Sequence, residues 1–148
     1  MRHFLIAAAL CSSVLACSSE LAPPSTAQPA AEQPVSRFLP AESDVAGTVF
    51  LDRSGDQTKI IFSDDFKVNR GPDLYVILGN SNMPLLNSEA PYYSIKPNSY
   101  TILDRLKSPK GTQSYAVPSE LKITDYGSVL IWCRRFNATF AWAPIDLG

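Results

Sequence analysis

After about residue 40 the apolar positions fall in short runs, separated by clusters of Gly, Pro, Asn, Asp and Ser. Gly47-Thr-Val-Phe-Leu-Asp-Arg53 and Thr58-Lys-Ile-Ile-Phe-Ser63 are rich in β-branched and aromatic residues and flank the turn cluster Ser54-Gly55-Asp56, a pattern that predicts a β-hairpin. The compact run Leu74-Tyr-Val-Ile-Leu78 predicts a strand covered on both faces. Residues 79–98, rich in Asn, Ser and Pro, read as a long loop with room for a short strand near Tyr92-Tyr93. Ser99–Leu103 and Thr112–Val117 bracket Lys107-Ser-Pro-Lys-Gly111, where Gly111 can take the positive φ that ends a turn. The last two strands fall at 128–133 and about 138–143. No stretch holds a helical period over the ten or more residues a helix needs. Short strands punctuated by turns indicate an all-β chain, an antiparallel β-sandwich with a partly open β-barrel as the alternative.

The N-terminal 40 residues read differently. Residues 1–16 have a short basic start, an apolar stretch and then small residues, the grammar of an export signal. Val14-Leu15-Ala16-Cys17 resembles the bacterial lipobox, in which the cysteine is acylated and becomes the mature N-terminus. Several acyl chains on Cys17 make a stable membrane anchor. Ser18 after the cysteine resembles the pattern of lipoproteins sorted to the outer membrane, with the domain on its periplasmic face or at the cell surface. Residues 17–40, dominated by Pro, Ala, Ser and Gln, bury too little apolar surface to fold and read as a tether. Residues 41–148 are then one domain.

Loss of residues 1–16 removes Arg2 and leaves twelve basic against fourteen acidic side chains, net −2. That balance argues against nucleic acid as a partner. His3 is the only histidine and leaves with the signal. Serine–histidine triads, histidine-rich zinc sites and blue-copper centres all require an imidazole, so the mature chain is excluded from them. Cys11 also leaves, and Cys17 would become a thioether, so Cys133 is the one thiol left and has no intrachain partner. In an oxidising compartment such a cysteine is a reactive thiol, an intermolecular bridge or a buried small hydrophobe.

Cys133 ends the apolar run Gly127-Ser-Val-Leu-Ile-Trp-Cys133 and is followed by Arg134 and Arg135. Strand alternation sets Val129, Ile131 and Cys133 on one face and Leu130, Trp132 and Arg134 on the other. The arginines mark where the strand leaves the interior, which puts Cys133 near the rim, with Arg135 on its own side if the extended conformation continues. A guanidinium nearby favours the thiolate and burial disfavours it, so the residues alone leave both roles open.

The spacing of Gly71-Pro72-Asp73-Leu74-Tyr75-Val76, of Leu106-Lys107 with Gly111-Thr-Gln-Ser-Tyr-Ala-Val-Pro118, and of Ile131-Trp132-Cys133 with Phe136 and Phe140-Ala-Trp-Ala143 resembles the electron-transfer DM-thirteen domain over about residues 44–146. Ser108-Pro109 is an insertion relative to that pattern. The resemblance implies a role in an extracytoplasmic redox chain with an unidentified redox protein partner. It also implies that Cys133 is a bare redox thiol or a ligand to a prosthetic group such as haem. Arg134 and Arg135 would then tune the thiolate, and Trp132 would shape its pocket. The rival reading is a binding or adhesion module that presents loop 79–98 to a glycan or protein, with Cys133 purely structural. Trp132, Phe140, Trp142, Tyr115 and Tyr126 read more simply as core than as a ligand site. Asp64, Asp65 and Asp73 read as turn caps, and Met83, in an Asn-Met-Pro loop, has no setting that suits an axial ligand.

Overall fold

A computed structural model describes residues 33–147. The expected export signal, Cys17 and the first part of the expected tether lie outside the described residues. Eleven strands run in chain order: β1 Val35–Arg37, β2 Leu39–Pro40, β3 Val45–Ala46, β4 Thr48–Asp52, β5 Lys59–Phe62, β6 Lys67–Val68, β7 Leu74–Gly79, β8 Tyr100–Arg105, β9 Gln113–Ala116, β10 Ser128–Cys133 and β11 Ala138–Pro144. The only helical turns among the described residues are two 3-10 turns, Ile123–Asp125 and Arg134–Phe136. No helix among them is long and apolar enough to cross a membrane.

Two antiparallel sheets face each other, one ordered β1-β4-β5-β9 and the other β2-β11-β10-β7-β8, with β3 and β6 as a short third pair. Alternation along β4, β5 and β9 drives Val49, Leu51, Ile60, Phe62 and Tyr115 inward, against Val76, Leu78, Val129, Ile131 and Cys133 of the other sheet. The fold is therefore the expected β-sandwich, without barrel closure. Phe38, Phe62 and Phe66 form an aromatic knot at one end of this core, with ring centroids 4.7–5.2 Å apart.

Residues 35–40, read from composition as tether, belong to the fold. β1 pairs with β4 and β2 pairs with β11, and the chain passes from one sheet to the other at Phe38, which is buried in the core. Phe38 is the one residue of this segment that the core encloses, and two short strands form beside it. The segment joining β8 to β9 also crosses from one sheet to the other, with Gly111 at φ 84° in its turn.

Strand β10 is buried along all six residues. Its inner face meets the opposite sheet, while its outer face, Leu130 and Trp132, joins Ile77 and Ile95 in a second cluster flanked by Tyr75, Leu85, Tyr100 and Trp142. Loop 80–99 supplies Leu85 and Ile95 to that cover. It folds in turns, without the strand expected near Tyr92-Tyr93. Gly127 lets it approach, since a Cβ there would lie 2.3 Å from the Asn82 nitrogen. The far end is pinned by Asn137, whose Oδ1 accepts from Trp132 Nε1 at 3.0 Å and from Ile95 N at 3.2 Å, while its Nδ2 donates to Ile95 O at 3.1 Å. Thr139 adds a hydroxyl donor to Tyr93 O at 2.8 Å.

Asn137 also sits in the left-handed region, φ 46° and ψ 51°, which asparagine tolerates better than most residues. Asn137→Ala should cost about 2–4 kcal/mol in urea unfolding, from three lost hydrogen bonds and the backbone strain together. Asn137→Gly relieves the strain alone and should cost less. In both variants amide exchange should quicken in residues 85–96 before it quickens in β4 and β5.

Candidate functional site

Cys133 closes β10 with zero solvent exposure. Its register partners are Leu74 on β7 and Ala138 on β11, so the thiol lies in the inner core at the end of the central strand. β11 reaches this position through a bulge: Ile131 faces Ala141 but Trp132 faces Thr139. The extra residue, Phe140, turns inward next to Ala141, so both fill the core beneath the strand end.

Directly after Cys133 the chain enters the 3-10 turn Arg134–Phe136. The extended conformation that would have carried Arg135 to the thiol's side therefore ends at Cys133, and Arg135 is exposed. Arg134 swings to the outer face. Its backbone N donates to Asp73 O at 3.0 Å, and its Nε to Asp73 Oδ2 at 3.0 Å. Arg105 takes the other carboxylate oxygen, Oδ1, at 3.1 Å. Both guanidiniums lie over the Tyr75 ring, 4.8 Å from its centroid for Arg134 and 5.2 Å for Arg105. Asp73 thus joins two arginines that are 32 and 61 residues away in sequence. A local reading finds a turn cap at Asp73 and gives no sign of this cluster. Each exposed pair contributes at most about 1 kcal/mol.

Trp132 lies on the opposite face from the thiol, with its indole N–H held by Asn137 and its ring 5.0 Å from that of Tyr100. It shapes the outer cluster and no pocket around Sγ. Tyr126 shares a hydrogen bond of 2.9 Å with the Thr101 hydroxyl. Met83 is exposed on loop 80–99. Among the described residues no group of three or more His, Cys, Asp or Glu could hold a metal ion.

A cleft of about 260 Å³ opens beside this strand end, lined by Arg70, Gly71, Pro72, Leu74, Arg105, Leu106 and Pro109. Leu74 lines the cleft and is also the residue paired with Cys133 across β7 and β10. The Ser108-Pro109 insertion forms part of its wall. Gln113 and Tyr115 hold that wall from inside: Gln113 Nε2 donates to Ser108 O at 2.9 Å, Ser108 N to Gln113 Oε1 at 3.2 Å, and Lys107 N to the Tyr115 hydroxyl at 3.0 Å. The Tyr115 hydroxyl in turn donates to Gln113 Oε1 at 2.5 Å.

A thiolate-bound haem requires a sulfur open to a cavity that admits the macrocycle. Cys133 is fully enclosed and does not line this neighbouring cleft of about 260 Å³. That is below the usual range for ligand sites, so the residues around Cys133 do not fit haem.

Burial raises the Tyr115 pKa to about 12, opposed by its hydrogen bond from Lys107. The unfolded chain releases this proton near pH 10, before the folded protein does. Stability is therefore full below pH 10 and declines as pH rises toward 12, by on the order of 1–2 kcal/mol. Urea midpoints measured from pH 8 to 11.5 should show this decline and should show less of it in Tyr115→Phe.

Residues 37–145 match the family model described as Electron transfer DM13, a span that includes β1 from its last residue, both main sheets and Cys133. No curated protein and no solved structure gives a significant match. With most of its length and all of its sandwich core within the matched span, the chain belongs to the Electron transfer DM13 family, which supports a role in redox electron transfer.

Proposed function

We propose that this chain is a lipid-anchored, extracytoplasmic electron-transfer domain whose redox centre is the single thiol of Cys133. One observation carries the reading: the one thiol among the described residues ends the central strand, sealed from solvent and paired with Leu74, which lines an open cleft. Sealing suits a redox cysteine in an oxidising compartment, since susceptibility to sulfenic and higher acids follows exposure. It also constrains the chemistry. Thiol exchange requires direct attack of one sulfur on another, which the closed strand end forbids until Leu74 or Ala138 yields. Passing one electron takes the thiolate to a thiyl radical, with a redox protein partner as the acceptor, and requires proximity and no such opening.

Protein-film voltammetry of the full chain purified from its native host should give a wave that disappears in Cys133→Ser, with the far-ultraviolet dichroism of the two proteins unchanged. An identical wave in the variant overturns the reading. Cys133→Ala should lower stability by about 1–3 kcal/mol, the cost of lost core contacts, whatever the redox result.

Anchoring through Cys17 at the outer membrane rests on the lipobox-like Val14-Leu15-Ala16-Cys17 and on Ser18. Replacement of Cys17 by alanine should move the protein from the membrane to the soluble fraction, and retention in the membrane would exclude a lipid anchor.

A second reading, a binding module acting through loop 80–99, has its own support. Met83 is 54% and Leu86 69% exposed on that loop, and two adjoining clefts of about 290 and 180 Å³ run along it. Ligand capture that responds to changes in the loop and ignores Cys133→Ala would favour it.

A further inference from the structure

We infer that the cleft between the Arg70–Asp73 turn and the segment 105–109 is a binding site for a small organic monocarboxylate with an apolar body. The inference stands whether or not Cys133 carries electrons. Four of the lining residues are apolar side chains: Pro72, Leu74, Leu106 and Pro109. The donors are two guanidiniums, Arg70 and Arg105. Of the lining residues, Pro72 and Pro109 have no N–H, and Leu106 N already donates to Leu74 O at 2.9 Å.

The charge at this end of the molecule opposes that of the whole. The chain carries formal charge −1, yet Arg105 and Arg134 share the carboxylate of Asp73, and Arg70 lines the same cleft as Arg105. Asp73 bonds to Arg105 through one NH2 and to Arg134 through Nε, which leaves Arg70 with no hydrogen-bond or ion-pair partner among the described residues. The other carboxylate close to Arg105 in sequence, Asp104, accepts from Arg105 N and bears on Tyr115. A guanidinium without a partner at the rim of an apolar cleft is complementary to a carboxylate, which it can bind with two parallel hydrogen bonds.

The volume limits the rest of the ligand. About 260 Å³ is below the usual range for drug-sized molecules, so the apolar body is a short chain or a single ring. Arg105 is held by Asp73 and stacked on Tyr75, so its position is set before a ligand arrives.

The test is a calorimetric and NMR titration of the full chain with sodium hexanoate, with hexanamide and acetate as controls. Saturable binding of hexanoate is expected, with amide shifts centred on Gly71, Leu74 and Leu106. Arg70 is exposed and unpartnered, so Arg70→Gln should keep the wild-type Tm and weaken hexanoate by roughly tenfold, the loss of one charge-assisted pair. Hexanamide binding as tightly as hexanoate would overturn the role of charge, and acetate binding as tightly would overturn the role of the apolar lining. No binding by the folded wild type, or equal binding by Arg70→Gln, would overturn the site itself.

Discussion

Strand β10 has no solvated face, and this constraint governs the rest of the domain. An antiparallel sheet usually buries one face and wets the other. Here Leu130 and Trp132 on the outer face are as buried as Val129, Ile131 and Cys133 on the inner one. The opposing sheet covers the inner residues, but something else must cover the outer ones, and the chain uses loop 80–99. Because a loop has no ladder of its own to satisfy its backbone, it must borrow partners. Asn137, in the connection that turns β10 into β11, and Thr139, near the start of β11, supply them. The same few residues therefore end the central strand, reverse the chain and hold the cover.

The turn at Arg134–Phe136 has a second effect, on charge. Had β10 continued, alternation would have placed one arginine on the thiol's face. By tightening into a 3-10 turn, the chain sends Arg134 outward to Asp73 and Tyr75 and leaves Cys133 enclosed by apolar neighbours. The cations then serve the surface beside the Gly71-Pro72-Asp73 turn, where Arg105 joins them from β8. Thiol and guanidiniums are near each other along the chain and are separated by the thickness of the sheet.

Much of the fold is written in local patterns. The run Ser128–Cys133, apolar on both faces, marks the central strand, and Gly111 marks the turn where φ is positive. Where tertiary contacts override local composition, the pattern misleads. Residues 35–40 look like tether because they carry proline and polar side chains, yet Phe38 buries itself among Phe62 and Phe66 and brings two short strands with it. Loop 80–99 reads as polar surface because the residues that matter, Leu85 and Ile95, are isolated within it. The arginine cluster on Asp73 is invisible for a simpler reason: its members are distant in sequence and meet only once β7, β8 and β10 lie side by side.

Enclosure of the thiol also bears on how an electron-transfer domain of this kind can be selective. A cysteine open to solvent would meet any oxidant present and advance along the oxidation ladder. Cys133 is enclosed beside its register partners Leu74 and Ala138, and the cleft that Leu74 lines is apolar at Leu74 and Leu106 and carries Arg70 and Arg105. Any partner or small molecule that approaches there is sorted by charge and shape before it comes near the sulfur. Selectivity on this view belongs to the turn at Gly71-Pro72-Asp73 and the segment 105–109, and the strand that carries the thiol contributes the barrier.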